Sequence, residues 1–364
     1  MSKLDEARKQ INEIDQKMAD LFAARMKAVG EIASYKKEHG LPILDTAREE
    51  EVIRKNAQYM PDETLKSYYV NYLKYNMSLS RSYQHRLLEG MRVAYSGVPG
   101  AFADIAAKKI FPDGSSVPYK DFKTAYEAVV NGECDCAVLP IENSYQGDVS
   151  QVMDLAFFGS LYINGIYDME IVQNLVGVEG ATVRDIREVI SHPQALGQCA
   201  DYIRDHDFIT HECTNTAVAA KKVAEDGRLD QAAIASTETA NLYGLKVLDK
   251  SINASSINTT RFAVFSRFAS RNAARDNYFV MNFTVKNEAG GLGKAILAIG
   301  EAGFNLRALK SRPSKELIWE YYFFAEGEGN VNSERGKQML AELKKHCSIM
   351  KVVGSFEKEE KLER

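Results

Sequence analysis

The first 35 residues carry the pattern that most limits what this chain can fold into. Apolar residues recur at positions 4, 7, 11, 14, 18, 21, 28, 32 and 35, with the three-four spacing of one helix face. Carried to Glu38, such a helix is roughly 50 Å long at ~1.5 Å per residue, beyond the ~30 Å across of a compact 90-residue domain. The apolar face therefore predicts a partner chain, and we expect a homodimer or a higher homo-oligomer.

Helix breakers and a change of pattern divide the chain. "HGLP" at 39–42 ends the first helix, a second helix follows Asp45, and a third runs from about Thr64 to Leu88, which predicts an all-α domain at 1–90. After Gly90 short β-rich runs alternate with amphipathic helices, which predicts an α/β domain at 91–269. The predicted strands are "RVAYSG", "SSVPY", "CAVLPIENS", "EVISHP", "QAAIAS" and "RFAVFSR". "GIYDMEIVQNLVGV" at 165–178 is predicted to cross between two lobes with a cleft between them.

The last 88 residues are predicted to form a small α+β domain at 277–364. From Tyr278 the order is strand ("YFVMNFTV"), helix (291–302), strand ("FNLRAL"), strand ("LIWEYYFFA"), helix (333–346) and strand ("IMKVVGSF"). This order is the ferredoxin-like βαββαβ unit. "ASRNAARDN" at 269–277 is predicted to be a short linker.

Composition excludes several classes of function. The 46 basic and 50 acidic residues give a net charge of −4, so no global field draws nucleic acid or an anionic membrane. No stretch approaches the ~20 apolar residues that cross a bilayer, and a cytoplasmic location is expected. The five cysteines include no C-x-x-C pair, so they predict neither a disulfide framework nor a zinc site, and we interpret them as small buried hydrophobic residues.

One cation interrupts the apolar stripe of the first helix. Arg25 occupies the stripe position between Leu21 and Ala28. A buried guanidinium is costly unless it reaches the edge, pairs with an acid or receives an anionic ligand. Lys36 follows 11 residues later, only about 20° away around the helix, whereas Arg8 lies about 100° off that face. The alternative interpretation is that Arg25 extends to solvent.

The segments "ARKQINEID", "LPILDTAREEEV" and "SLSRSYQ" resemble the all-helical chorismate mutase family, over nearly all of residues 4–88. The resemblance implies a rearrangement of chorismate, a dicarboxylate, to prephenate without a covalent intermediate. The implied catalytic residues are Arg8, Arg25, Lys36, Arg48, Glu49 and Gln84, and the implied substrate-binding residues are Asp45 and Ser80. Arginines suit the carboxylates, Lys36 and Gln84 would donate to the ether oxygen, and Arg8 would complete the neighbouring protomer's site.

The segments "PIENSYQGDV" (140–149), "SHPQALGQC" (191–199), "TNTAVAA" (214–220) and "NTTRF" (258–262) resemble prephenate dehydratase across about residues 92–267. The resemblance implies two lobes of the periplasmic-binding-protein type. In "INTTRFAVF" at 257–265, strand alternation places Thr260 on one face with Phe262, and Arg261 on the other. Thr260 is the predicted catalytic donor to the leaving hydroxyl, because aromatisation lets a weak acid serve. The alternative is a β-branched residue that merely starts a strand.

Further substrate contacts are expected from loops at strand ends. The predicted residues are Gly97, Gly100, Glu142, Asn143, Ser144, Ser191, His192, Thr214, Asn215, Thr216, Arg261 and Phe262. For His192 a structural role before Pro193 is an equal alternative. The glycine loop lacks two hydroxyl residues usual in the family, with Ala101 and Ala103 in their places, and its "GVPGA" is similar to plant-type enzymes that act on arogenate. The two glycines are expected to offer backbone N–H groups.

The C-terminal segment resembles an ACT domain through "GGLGKAI" (290–296) and "KSRP" (310–313). The resemblance implies phenylalanine as an effector, bound by Gly291, Leu292, Ser311, Arg312 and Pro313. Lys310 replaces the glutamate that usually begins the second motif. The alternative is a dimerisation module that binds no ligand.

Together these features predict a bifunctional enzyme that converts chorismate to prephenate and then to phenylpyruvate, with phenylalanine feedback. No metal or organic cofactor is implied, and neither nucleic acid nor membrane is an expected partner. The alternatives are a cytoplasmic small-molecule binding or sensor protein, since a two-lobed fold does not fix the chemistry, and a chorismate mutase joined to an arogenate dehydratase.

Overall fold

The computed structural model of the protein describes residues 2–254, 258–270, 273–286, 288–313, 321–357 and 359–363. Ile257 of "INTTRFAVF", residues 271–272 of the predicted linker and residues 317–320 of the predicted strand "LIWEYYFFA" lie outside the described residues. The chain forms two compact units. The first comprises Met1–Arg92, Asp113–Ser115 and Asn131–Asp135, and the second comprises Val93–Pro112, Ser116–Val130 and Cys136–Arg364.

The first unit contains the three predicted helices: α1 (Lys3–Glu38), α2 (Thr46–Ala57) and α3 (Glu63–Glu89). Ser2 and Asp5 form a capping box at the start of α1, and the Asp45 carboxylate caps α2 by accepting from Arg48 N at 3.0 Å, which confirms the helix predicted to follow Asp45. The apolar stripe of α1 is exposed: Leu21 is 70% exposed and Ile11 is 55% exposed. The helices of this unit therefore leave the stripe uncovered, as the predicted partner chain requires.

The second unit begins with a two-lobed α/β arrangement. Its elements are β1 (Arg92–Ser96), α4 (Phe102–Ile110), β2 (Ser115–Tyr119), α5 (Phe122–Val130), β3 (Cys136–Asn143), β4 (Gly147–Asp148), α6 (Ser150–Phe158), β5 (Tyr162–Glu170), β6 (Asn174–Gly177), β7 (Glu188–Ser191), α7 (Pro193–Gln198), α8 (Ala200–Asp205), β8 (Ile209–Glu212), α9 (Thr216–Asp226), β9 (Gln231–Ala235), α10 (Thr237–Leu242), β10 (Lys246–Asp249) and β11 (Thr259–Ser266). All six predicted strands are present.

Each lobe has its own sheet. The first sheet has the order β16-β5-β11-β3-β1-β2 with β4 beside β3, and the second has the order β10-β6-β9-β7-β8, where β16 is Glu360–Lys361. The chain leaves the first sheet after β5 and enters the second at β6, which confirms the predicted crossover. It returns between β10 and β11, so β11 is a central strand of the first sheet, between β3 and β5.

The C-terminal part confirms the predicted βαββαβ order. It consists of β12 (Tyr278–Val285), α11 (Gly291–Glu301), β13 (Asn305–Pro313), β14 (Tyr321–Glu328), α12 (Glu334–His346) and β15 (Cys347–Phe356), with sheet order β13-β14-β12-β15. β13 is longer than predicted because its pairing with β14 continues to Pro313 opposite Tyr321. β15 packs directly against β5: a Cβ atom at Gly354 would lie 1.9 Å from the carbonyl oxygen of Ile163.

Two smaller expectations are resolved by the fold. Cys134, Cys136 and Cys199 are buried as predicted, whereas Cys213 and Cys347 are only partly buried. Across the described ranges, none of the helices combines the length and apolar character needed to cross a membrane.

Candidate active sites

The guanidinium of Arg25 faces a polar row on α3. Its Nη1 atom donates to Asn76 Oδ1 at 3.1 Å and to Ser80 Oγ. Asn76 and Ser80 are four residues apart on the same helix face, and both are buried. Arg25 is half-buried rather than extended into solvent, and both acceptors are neutral oxygens. Neither acceptor carries a negative charge, so the guanidinium remains able to pair with an anionic ligand.

Gln84 continues the same row one turn after Ser80. Its Nε2 atom donates to the Ser80 carbonyl at 3.4 Å, and its buried Oε1 atom has no hydrogen-bond partner among the described residues. A buried amide oxygen that accepts no bond from the protein can accept one from a ligand or a water molecule. Arg25 and Gln84 thus both contact Ser80, and the assignment of these three residues to one site stays a prediction.

The remaining predicted residues of the helical unit have other contacts. Lys36 Nζ donates to the Ile43 carbonyl at 2.6 Å, and Arg48 pairs with Glu51 at 2.7 Å on the exposed side of α2. The Glu49 carboxylate accepts two bonds from Arg81, at 2.5 and 2.6 Å. Arg8 is exposed on α1.

Thr260 sits on β11 directly opposite Asn143 on β3. Asn143 Nδ2 donates to Thr260 Oγ1 at 2.9 Å, and both side chains are buried. Because Oγ1 accepts this bond, the hydroxyl hydrogen stays available to donate elsewhere. Among the described residues it makes no donor contact. This is the polarity that a proton donor to a leaving hydroxyl needs.

A chain of buried amides extends from this pair to a cavity. Asn143 Nδ2 also donates to Asn258 Oδ1 at 3.0 Å, and Asn258 Nδ2 donates to Gln198 Oε1 at 3.0 Å. Gln198 and Asn258 line a cavity of about 260 Å³ together with Tyr145, Gly197, Ala200, Asp201, Asn253 and Ala254. Its volume is slightly below the ~300 Å³ at which small-ligand pockets begin.

A second, wider cavity is less suited to a substrate. It has about 460 Å³ and is lined by Gly100, Asp104, Ile105, Lys108, Lys109, Glu238, Asn241 and Leu242. Its charged groups already pair with each other: Lys108 lies 2.7 Å from Asp104, and Lys109 lies 3.2 Å from Glu238.

The glycine loop does not offer its N–H groups as predicted. Gly97 N donates to the Tyr119 carbonyl at 2.8 Å, and Gly100 N donates to the Asp104 carboxylate at 2.8 Å. Both donors are used inside the fold. The prediction that Gly97 and Gly100 offer backbone N–H groups to a substrate is therefore wrong.

Three predicted loop contacts are structural. Ser191 is fully buried and its Oγ atom donates to the Ile234 carbonyl on a neighbouring strand. His192 Nδ1 accepts from Gln194 N at 3.2 Å and so caps α7, which favours the structural alternative for this histidine. Asn215 caps α9 through Val218 N at 2.8 Å. Caps of this kind satisfy the open N–H groups of a helix start.

The other loop residues differ in accessibility. Thr216 is buried in the first turn of α9, whereas Thr214, two residues earlier, is exposed. Ser144 is exposed, and its Oγ atom accepts from Thr259 N at 2.9 Å. Phe262 is a core residue, 2% exposed. Thr214 and Ser144 are the members of this set that can reach a ligand.

Arg261 and Glu142 face away from Thr260. The two residues lie opposite each other on β11 and β3, and Arg261 Nη1 donates to Glu142 Oε2 at 3.1 Å. Strand alternation aims both side chains at the face opposite to Thr260 and Asn143. The carboxylates that Arg261 contacts belong to the protein. The prediction that Arg261 and Glu142 contact the substrate is therefore wrong.

The C-terminal motifs also have defined positions. Gly290 has φ of +78° and precedes α11 without a side-chain cap, and a Cβ atom at Gly291 would lie 2.6 Å from the Lys286 carbonyl. Leu292 follows in the first turn, half-buried. Of the second motif, Ser311 and Pro313 are exposed on β13, whereas Arg312 pairs with Asp154 of α6 at 2.9 Å. Arg312 is thus engaged by the two-lobed part.

Sequence reasoning missed three residues of these sites: Asn76, Gln198 and Asn258. Asn76 precedes Ser80 by four residues and Gln84 by eight, and this spacing on one helix face was the available signal. Asn258 and Gln198 carry no such signal, because they are 60 residues apart along the chain and only the fold brings them within bonding distance.

Comparison with known proteins identifies a family for each of two segments of the chain. The family model for chorismate mutase type II matches residues 7–85, and the model for prephenate dehydratase matches residues 93–270. The chain is 31% identical to a bifunctional chorismate mutase/prephenate dehydratase of Aquifex aeolicus, over 98% of this chain and 99% of that protein. It is 33% identical to arogenate dehydratase/prephenate dehydratase 2 of Arabidopsis thaliana, over 73% of this chain and 72% of that protein.

Among solved structures, the prephenate dehydratase of Arthrobacter aurescens in complex with L-Phe superimposes with a TM-score of 0.67 at 26% identity, covering 74% of this chain and 90% of that one. The plant relative matches only part of this chain, whereas the Aquifex relative matches both segments in the same order. The chain belongs to the bifunctional chorismate mutase/prephenate dehydratase family.

Proposed function

We propose that residues 1–90 of this chain rearrange chorismate to prephenate and that Thr260 carries the following dehydration of prephenate to phenylpyruvate. As a member of its family the chain is both a chorismate mutase and a prephenate dehydratase. The observation that carries the proposal is the bond from Asn143 to Thr260 Oγ1, which leaves a buried hydroxyl hydrogen free to donate.

In the mutase site the chemistry requires charge and shape but no nucleophile. The breaking ether oxygen of chorismate becomes negative in the transition state, and fixed donors beside it lower the barrier. Arg25 would hold a carboxylate, supported by Ser80 and Asn76. Lys36 and Gln84 would donate to the ether oxygen. Arg48 and Glu49 would complete the site from α2, with Asp45 as the cap that fixes the start of this helix.

We further propose that the mutase site is shared between two protomers. The exposed apolar stripe on α1 supports a homodimer, because a second copy of the chain would cover apolar surface that this 36-residue helix otherwise exposes to water. Arg8, exposed on the same helix, would enter the partner's site.

In the dehydratase site a proton must reach the leaving hydroxyl as carbon dioxide departs. The ring carboxylate departs as carbon dioxide, and the electron pair of the broken C–C bond stays in the ring. The ring C–O bond breaks as well, and the hydroxyl leaves as water once it is protonated. Thr260 would donate to this oxygen, and Asn143 would hold the Thr260 oxygen in place. Aromatisation supplies the drive, so a weakly acidic hydroxyl is sufficient. Ser144 and Thr214 are the proposed exposed contacts to the substrate.

Prephenate is the proposed substrate in preference to arogenate. The mutase segment of the same chain produces prephenate, and relatives that match both segments are named as bifunctional chorismate mutase/prephenate dehydratases. The arogenate alternative is supported by the name of the plant relative. Turnover of the two compounds by the full chain, measured side by side, decides between them. A larger kcat/KM for arogenate would overturn this part of the proposal.

We propose that residues 277–364 are an ACT domain that binds phenylalanine. The Arthrobacter structure contains L-Phe, and α11 begins after Gly290 without a side-chain cap, with Gly291 N donating to the Glu288 carbonyl at 3.0 Å. Titration calorimetry with phenylalanine tests this, with tyrosine as the control ligand. Absence of heat at millimolar phenylalanine would leave the alternative of a dimerisation module. A cytoplasmic location stays a prediction.

The decisive experiment for the dehydratase is a comparison of Thr260→Ala and Thr260→Ser in the full chain. Serine retains the hydroxyl, so it should retain most of the rate of phenylpyruvate formation, whereas alanine should lose roughly 10²-fold or more. The mutase rate of the same preparation is the internal control. Equal rates for wild type and Thr260→Ala would refute the role of Thr260.

A further inference from the structure

The guanidinium of Arg261 lies among carboxylates from separate parts of the second unit. It pairs with Glu142 of β3 at 3.1 Å, with Glu326 of β14 at 2.7 Å and with Glu359 of the C-terminal segment at 2.7 Å. Asp168 of β5 lies 3.6 Å from its Nε atom. The Glu326 side chain is only 4% exposed. A carboxylate buried to this degree depends on its cationic partner.

Lys310 forms a second bridge from the βαββαβ part to the same strand. Its Nζ atom lies 2.9 Å from Glu142 and 2.6 Å from Asp148 of β4. The Lys310 side chain is largely buried. Glu142 is thus held from two sides, by Arg261 from its own sheet and by Lys310 from β13.

These two bridges end next to the proposed proton donor. Arg261 follows Thr260 directly, and Glu142 precedes Asn143 directly. In a strand, successive side chains point to opposite faces of one backbone, so a side chain held on one face restrains the backbone from which its neighbour projects. Asn143 and Thr260, the proposed catalytic pair, therefore lie on two strands whose opposite face is bound by Lys310 and Glu326 of the C-terminal domain.

We propose that Lys310 and Glu326 of the C-terminal domain are positioning residues for the dehydratase reaction. They hold Glu142 and Arg261, and through these strands they set the geometry of Asn143 and Thr260. The C-terminal domain is then a part of the working dehydratase site even without an effector. This inference rests on the proposed role of Thr260.

The identity of residue 310 follows from the same arrangement. A glutamate here, usual in the family that the motif resembles, would place a third carboxylate beside Glu142 and Asp148. Like charges at this distance repel, and the repulsion is strongest where water is excluded. Lys310 and the acidic pair on β3 and β4 therefore match each other in this chain.

The test is steady-state kinetics of the full chain with Lys310→Met, Lys310→Arg, Lys310→Glu and Glu326→Gln. We expect Lys310→Met and Glu326→Gln to lower dehydratase kcat roughly tenfold, because misplacing a catalytic group by a fraction of an ångström is enough for such a loss. The KM for prephenate and the mutase kinetics should change less than twofold. Lys310→Arg should retain most of the rate, and Lys310→Glu should lose more than Lys310→Met.

Lys337→Met is the matched control, because Lys337 pairs with Glu334 at 2.6 Å on the exposed surface of α12 in the same domain. It should leave both activities unchanged. The double variant Thr260→Ala/Lys310→Met separates positioning from general destabilisation. If Lys310 acts through Thr260, its substitution adds little to the loss already caused by Thr260→Ala.

The outcomes are distinct. A full, independent tenfold loss in the Thr260→Ala background, or wild-type kcat in both Lys310→Met and Glu326→Gln, would overturn the positioning role while the role of Thr260 stands. An unchanged rate in Thr260→Ala alone would refute the proposed proton donor instead.

Discussion

The side-chain nitrogen of Asn143 lies 2.9 Å from the hydroxyl oxygen of Thr260. The Oδ1 atom of the same asparagine accepts from Tyr145 N at 3.0 Å and from Gln146 N at 3.1 Å, so the amide holds a turn with its oxygen and the threonine with its nitrogen. Its orientation is therefore determined, and the polarity of the bond to Thr260 follows from it.

Asn143→Asp should lower dehydratase kcat by about 10²-fold or more. Aspartate keeps the two acceptor bonds of the turn but replaces the donor by an acceptor, which draws the Thr260 hydroxyl hydrogen away from the substrate. Phenylpyruvate formation from prephenate measures the loss. Asn143→Asp with a wild-type kcat would show that the orientation of this hydroxyl is irrelevant.

Asn76→Asp should raise the mutase KM for chorismate roughly tenfold or more, because a new carboxylate would pair with Arg25 and compete with the substrate's carboxylates. Arg25 donates to Asn76 Oδ1 at 3.1 Å in the wild type. Asn76→Ala is the matched control and should have the smaller effect. The disappearance of chorismate is the measurement, and a KM equal in both variants would contradict the expected competition.

Lys36→Met should lower mutase kcat by roughly 10²–10³-fold, as expected for a donor to developing negative charge. Dehydratase turnover of added prephenate by the same protein should be unaffected. A mutase rate within a few-fold of wild type would remove Lys36 from the catalytic group.

Mixing Arg8→Ala chains with Arg25→Ala chains should restore mutase activity to about one quarter of wild type. Random exchange makes about half of the dimers mixed, and each mixed dimer has one intact site of two. Each variant alone, treated in the same way, is the control. If the mixture stays as inactive as its components, the shared site is wrong.

The Glu142 carboxylate makes stability depend on pH. Burial alone would raise the pKa of Glu142, but hydrogen bonding and charge from Lys310, then from Arg261, outweigh it and hold the pKa of Glu142 below its ordinary value. The stabilisation is therefore present above the ordinary pKa of a glutamate and is lost as the pH falls through the lowered value.

Glu142→Gln should consequently lower the free energy of unfolding at neutral pH by about 1 kcal/mol, which urea denaturation would show as a lower midpoint. The difference from wild type should disappear in acid, where Glu142 is itself protonated. A difference that stays constant from neutral to acidic pH would show that the carboxylate charge is not responsible.

The local pattern of the sequence determined the elements. The three-four spacing fixed the length of α1, Asp45 predicted the start of α2, and period-two runs predicted the strands that carry Asn143 and Thr260. The alternation along "NTTRF" also indicated that Arg261 points away from Thr260, as it does. These features depend on residues within one or two turns, or one strand, of each other.

Only the tertiary structure decided what occupies each face. Arg261 was predicted to hold a substrate carboxylate, and Gly97 and Gly100 to offer free N–H groups, but the acceptors they meet are Glu326, Tyr119 and Asp104 of the protein itself. Glu326 is 65 residues from Arg261 along the chain. A sequence shows which groups can donate, accept or carry charge, whereas the fold alone brings distant partners within bonding distance and so determines which donors remain for a substrate.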